Sequence, residues 1–308
     1  MLIDRHCHLE GSLDPVWVHS ESSRRGLALP ASLEALWRGE AVAFEAFIEA
    51  FLFGSTLLDS ERAIREAVGA AARRTLAAGG SGFELWMSPH FLVAHLKQLT
   101  LDSFWRGVEG GFQDARDQGL RVCAVVDAVN HFGPAHGHAV LDLVERDLPD
   151  FVLGFSTGGL EQVPFREWAP VFERARRADL RLAAHAGENG PGANVREAVL
   201  EAGVERIIHG LRADDATLEL LAERRIPVDV CPSSNALLAP DVQPHPLPRM
   251  LRAGVRCALG TDDPGLIPCD LATERQKATE MGLSPEELLL LDRFGEEDAW
   301  CLSPSEAR

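Results

Sequence analysis

Side chains able to hold a metal or move a proton gather at a few places in this chain. "HCHLEG" puts His6, His8 and Glu10 at alternate positions, "HAGE" carries His185 and Glu188, "RIIHG" carries His209, and "GTDDP" carries Asp262 and Asp263. Residues two apart in an extended strand face one side, so His6 and His8 should share a face that Cys7 does not. Two imidazoles on one face suggest metal ligation, and His185 with an aspartate would complete a nitrogen-rich set suited to zinc. Such a set leaves a position for water and lowers that water's pKa toward neutrality. Taken alone, an HxH pair fits chance or a hydrogen-bonded core feature better than a metal. Glu188 could likewise stabilise the start of a helix, and Asp263 could serve a turn in "TDDPG". The company these residues keep at strand ends favours chemistry for all of them.

Eight apolar, often β-branched runs must position these groups. They are "LIDRHCHLEG" from 2, "GFELWMSP" from 82, "RVCAVVDAV" from 121, "FVLGFSTGG" from 151, "RLAAHAGE" from 181, "RIIHG" from 206, "IPVDVCPSSN" from 226 and "VRCALGTDDP" from 255. Helix-length segments lie between most of them, as at 61 to 78, where Ile64, Val68, Ala71, Ala72 and Leu76 recur at three- and four-residue steps. Strand alternating with helix predicts parallel pairing and an α/β fold, a (β/α)8 TIM barrel forming a single domain over residues 1–308. A doubly wound open sheet is the alternative, but "HLEGSL" is not the glycine-rich loop such a sheet carries after its first strand. In a barrel the reacting groups sit where strands pass into the following loops, which is where the residues above fall. Residues 12–60 are too long for a simple connection. Phe44, Phe47 or Ile48, and Phe51 stand at helical spacing there, which predicts a helical insertion after strand 1, packed over the barrel mouth as a lid or a plain cap.

Composition narrows the class. The chain has 308 residues, 46% hydrophobic and 25% charged, as in soluble globular proteins, and no apolar run long enough for a membrane span. Its start has no basic stretch followed by an apolar one, so the expectation is a cytoplasmic protein without a membrane partner. Six cysteines without a CxxC pair suit reduced thiols. A net charge of −17 with no basic stripe argues against nucleic acid and leaves oligomeric state open. Lys97 and Lys277 are the only lysines, and neither stands at the end of the fourth run, where a modified lysine could bridge two ions; one metal is expected. His19, His90, His95, His131, His136, His138 and His245 are read as surface or hydrogen-bonded core groups. The "PCxxC" zinc signature of cytidine-type deaminases is absent.

Five segments in order, "HCHLEGSL" from 6, "HAGE" from 185, "RIIHG" from 206, "CPSSN" from 231 and "GTDDP" from 260, resemble the adenosine deaminase family of the amidohydrolase superfamily. The resemblance implies one zinc ion per chain, held by His6, His8, His185 and Asp262. It implies that Glu188 protonates purine N1, that His209 orients and helps deprotonate the attacking water, and that Asp263 holds that water or purine N7. The implied reaction converts a 6-aminopurine to its 6-oxo form plus ammonia. Glu10 stands where the family usually has an aspartate that contacts the ribose 5′ hydroxyl. "GFSTGGLE" replaces a "DLAGDE"-like stretch, although Gly159 is still expected to approach the purine. "DAVNH" from 127 lacks an arginine common there. These departures tilt the expected substrate toward a 5′-modified adenosine such as 6-amino-6-deoxyfutalosine, with adenosine and free adenine as alternatives, and hydrolysis of another kind on the same barrel as a further one.

Overall fold

The computed structural model describes residues 1–146 and 148–302, so residues 147 and 303–308 of the expected domain lie outside the described residues. Eight strands alternate with helices: β1 (Ile3–His8), β2 (Gly82–Met87), β3 (Arg121–Val129), β4 (Val152–Gly158), β5 (Arg181–Ala186), β6 (Arg206–His209), β7 (Val228–Val230) and β8 (Cys257–Leu259). Each pairs in parallel with the next in sequence. The ring closes at a bridge between Cys7 and Asp262, where Asp262 N–H donates to His6 O at 2.8 Å and His8 N–H donates to Asp262 O at 2.7 Å. The fold is the (β/α)8 barrel that the alternation predicts.

Strand alternation fails at one place that matters. The β1–β2 register runs Asp4 to Phe83 and then Cys7 to Leu85, so β1 carries one extra residue between these pairs. This bulge turns both Arg5 and His6 to the barrel side. His6 meets the Trp86 ring at 4.5 Å between centroids, and Arg5 pairs with Asp229 at 3.0 Å with both side chains fully buried. Arg5, Glu84, Arg206 and Asp229 make an ionic layer below the histidines, in which Arg206 contacts Glu84 and lies 3.3 Å from Asp229. Trp300 closes the barrel beneath it, with the Arg206 guanidinium 4.0 Å from its ring centre.

The stretch after β1 forms α1 (Pro15–Arg25), α2 (Ala31–Trp37) and α3 (Phe44–Thr56), followed by α4 (Glu61–Ala77), the first helix of the outer ring. Asp14 caps α1 by accepting Val16 N–H at 2.8 Å, and Ser60 caps α4 through Ala63 N–H. The buried stripe of α4 runs Ile64, Val68, Ala71 and Thr75; Leu76, expected inside, is 37% exposed. Steps of four, three and four residues end at Thr75, and Leu76 lies a further ~100° around the helix. Trp37 Nε1–H donates to Gly265 O at 2.9 Å, and Phe51 sets its ring 6.5 Å from that of His8, so α2 and α3 contact the loop after β8 and the end of β1. All six cysteines are free thiols, and among the described residues no helix is long and apolar enough to cross a membrane.

Candidate active site

The ends of β1, β5 and β8 bring four ligand atoms together. His6 Nε2 lies 3.2 Å from Asp262 Oδ1 and 3.2 Å from His185 Nε2. His8 Nε2 lies 3.2 Å from His185 Nε2 and 3.4 Å from Asp262 Oδ1. Burial pushes the His6 and His8 imidazoles down to about 3 and His185 well below its ordinary value, so all three are neutral. Burial opposes the charge on Asp262, but the hydrogen bond to His6 holds its carboxyl well below the usual range. The outer His185 nitrogen, Nδ1, donates to Thr157 O at 2.8 Å, which leaves the Nε2 lone pair facing inward.

These observations test the fit of a metal. The facing imidazole nitrogens and the Asp262 oxygen converge on one point, where each can turn a lone pair toward a cation. Ligand distances of about 2.0–2.1 Å around tetrahedral zinc correspond to ligand–ligand spacings of roughly 3.3–3.4 Å, close to those present. Three nitrogens and one carboxylate also suit zinc in donor type. The residues fit the ion.

Glu188, His209 and Asp263 surround this cluster. His209 Nε2 lies 3.6 Å from Glu188 Oε1 and 4.0 Å from Asp262 Oδ2. Burial raises the Glu188 carboxyl to about 7, and burial with neighbouring Asp262 raises Asp263 well above the usual range. Both can therefore carry a proton near neutrality. His209 and Asp262 adopt left-handed backbone, with φ of 68° and 64°, a strained conformation for residues with side chains that is common at functional sites.

Glu10 is buried at the end of β1, where burial raises its carboxyl to about 7. Its Oε1 accepts Ser88 N–H at 2.8 Å, while Oε2 has no hydrogen-bond partner. Gly159 has φ +80°, and a side chain there would approach His131 and Val129 at 3.2–3.3 Å. Its carbonyl accepts Asn189 Nδ2–H at 3.2 Å, which places it beside the Glu188 loop.

Three supporting residues carry no individual signal in the sequence. Glu161 accepts the backbone N–H groups of Gly187 and Glu188 at 2.8 Å and those of Asn189 and Gly190 at 3.2 Å, fixing the loop that carries Glu188. Asn235 and His245 form a relay to His209. Leu247 N–H donates to His245 Nδ1 at 3.2 Å, so the His245 proton sits on Nε2, which donates to Asn235 Oδ1 at 3.2 Å. Cys231 N–H donates to the same oxygen at 3.3 Å. The Asn235 amide nitrogen thus faces His209 Nδ1 at 3.1 Å and donates to it, leaving the His209 proton on Nε2, toward the metal ligands. Asn235 falls within "CPSSN", whereas His245 reads as an ordinary histidine.

The chain matches the adenosine deaminase family profile over residues 2–308 and belongs to that family, within the amidohydrolase superfamily. It is 33% identical to an adenine deaminase of Rhodopseudomonas palustris, over 96% of this chain and 88% of that one. It is 30% identical to an aminodeoxyfutalosine deaminase of Acidothermus cellulolyticus, over 93% and 84%. Among solved structures, an amidohydrolase from Burkholderia ambifaria with bound Zn superposes with a TM-score of 0.85 at 22% identity, covering 97% of this chain and 85% of that one. An adenine deaminase from Arthrobacter aurescens superposes with a TM-score of 0.83 at 24% identity, covering 96% and 98%.

Proposed function

We propose that this protein is a zinc-dependent hydrolytic deaminase that converts a 6-aminopurine to its 6-oxo form and ammonia. The observation that carries the reading is the convergence of His6, His8, His185 and Asp262 beside a buried, protonatable Glu188. One zinc ion held by those four residues would supply a Lewis acid that brings the pKa of water toward neutrality.

The chain's own groups account for the rest. Glu188 gives its proton to purine N1, which draws electron density from C6. His209 points Nε2–H at the attacking oxygen and holds it on line. Asp263, protonated, donates to purine N7 or steadies the same oxygen. Water gives up one proton as its oxygen adds at C6, that proton passes to the amino group, and the C6 hydroxyl proton returns to Glu188 as ammonia leaves. The substrate lies against Glu10 and Gly159, with α1 to α3 as the cap over it.

Free adenine and a 5′-modified adenosine are both supported by the named relatives, and adenosine shares the reacting ring. Phosphorylated nucleotides are disfavoured, because the loops after β7 and β8 offer "SSNALL" and "TDDPGL" rather than a basic phosphate cradle. The deciding experiment measures zinc per chain and then kcat/KM for adenine, adenosine and 6-amino-6-deoxyfutalosine. The expected result is about one zinc and loss of the aminopurine absorbance with one substrate clearly preferred. Metal-replete protein that leaves all three unchanged would overturn the reading.

A further inference from the structure

On β3, Cys123 and Val125 pack inside the barrel with Trp86 and Trp300, and alternation carries Asp127 to the same interior side, one layer nearer the mouth. Asp127 is 3% exposed, and neither carboxyl oxygen has a partner in good hydrogen-bond geometry, although the Ser156 side chain lies beside it. No arginine or lysine pairs with it among the described residues; its charged neighbours include Glu10 and Asp262. Burial, with Glu10 beside it, pushes the Asp127 carboxyl well above the usual range, so its ionised form is costly there. One contact explains its presence: Asp127 Oδ2 lies 3.5 Å from His8 Nδ1, the ring nitrogen facing away from the ligand cluster.

We infer that Asp127 is a positioning residue of the metal site, accepting the Nδ1 proton of His8 and thereby presenting the Nε2 lone pair to the ion. The three imidazoles differ in their outer partners. His185 Nδ1 has the backbone carbonyl of Thr157, His6 Nδ1 has no partner, and His8 alone has a carboxylate. A carboxylate behind a ligating histidine fixes its tautomer and raises its basicity. Ionised in the field of a bound dication, it would add a second negative charge to that of Asp262. The 3.5 Å separation is long for a hydrogen bond, and such contacts tighten when the site is filled.

This inference rests on the metal site proposed above, and its test separates the two. The variant is Asp127→Asn, close in size, compared with the unaltered chain in two measurements: thermal unfolding of the metal-free protein, and zinc affinity by competition with a chelator. The expected result separates the two readings. The metal-free variant unfolds at the same or a higher temperature, because an uncharged amide replaces a carboxyl whose ionised form burial disfavours, while zinc affinity falls about 10- to 100-fold. Asp127→Ala supplies the same pair of readings if the amide does not fold. A variant that binds zinc within about twofold of the original overturns the role of Asp127 alone, since the expected loss is at least tenfold. Joint loss of metal-free stability and affinity also overturns it, because that pattern belongs to a residue that merely supports the fold. An unaltered chain that binds no zinc overturns the metal site itself.

Discussion

The Glu161 carboxylate accepts the backbone N–H of Glu188 at 2.8 Å, so the proton donor proposed for the purine is anchored by another acid from the loop after β4. That acid serves three further donors in the same turn and also accepts Asn194 Nδ2–H at 2.9 Å. Glu161→Ala frees all of these groups and lets the Glu188 loop relax. Misplacement by about 1 Å costs on the order of 100-fold in rate, and a loss of that size is expected in kcat. Zinc content should stay unchanged, because none of the four ligands depends on Glu161. Metal analysis beside steady-state kinetics checks both halves; equal kcat would remove Glu161 from the positioning machinery.

Burial raises the Glu188 carboxyl to about 7, so its protonated form predominates below that value and is lost above it. Because the protonated form is the one proposed to act, kcat/KM should fall on the alkaline side of about pH 7. Glu188→Gln cannot transfer a proton and should lose roughly 10²- to 10⁴-fold, the usual range for general acid catalysis. Its residual activity should lack the alkaline limb. A pH–rate profile of both proteins measures this, and an identical limb in the variant would assign the ionisation elsewhere.

A third prediction follows from the relay to His209. Asn235→Asp replaces the amide donor with an acceptor, and His209 then places its proton on Nδ1 to meet it. The Nε2 atom loses the N–H that faces the site. A histidine held in the wrong tautomer can cost about 10⁴-fold in another hydrolase, so a loss of at least ~100-fold in kcat is expected here. Nitrogen NMR of the histidine rings reports the tautomer directly, and unchanged ring shifts with unchanged kcat would refute the relay.

The ionic layer below the site gives a stability prediction. Arg206 is fully buried, touches Glu84 and lies 3.3 Å from Asp229. Arg206→Met leaves both carboxylates short of a buried partner, which costs about 3–5 kcal/mol. Urea unfolding measures the loss. A near-neutral result would mean that Arg5, 3.0 Å from Asp229, carries the compensation by itself.

The sequence reveals more of the barrel and its reacting groups than of what holds them. All eight runs are strands, because parallel strands buried on both faces read as continuous apolar segments. His6, His8, His185, Glu188, His209, Asp262 and Asp263 stand out because polar groups at the ends of such strands conflict with their surroundings. The bulge at Arg5 is invisible, since it is set by register against β2 rather than by the residues of β1. Glu161, Asn235, His245 and Asp127 act through partners 26 to 119 positions away in sequence, or ten in the case of Asn235 and His245, and no local period marks such contacts.

Gly11 tests whether the first loop sets the position of Asp263. An added Cβ at residue 11 would lie 1.9 Å from Asp263 Oδ1 and 2.6 Å from both Asp263 Cβ and Cγ. The Asp263 side chain cannot remain where it is beside alanine. Its backbone has little room to yield, because Gly265 N–H donates to Gly11 O at 2.6 Å and Asp262 is bonded on both sides to β1. Gly11→Ala must therefore push its own loop away from residue 263 as well as swing the Asp263 carboxyl off the reacting atoms, because the Cβ–Cβ approach of 2.6 Å cannot be relieved by side-chain rotation. The expected outcome is a fall in kcat/KM of about 100-fold at unchanged zinc stoichiometry, matching Asp263→Ala and adding little to it in the double variant. Losses that multiply in the double variant would show that Gly11 acts through some group other than Asp263.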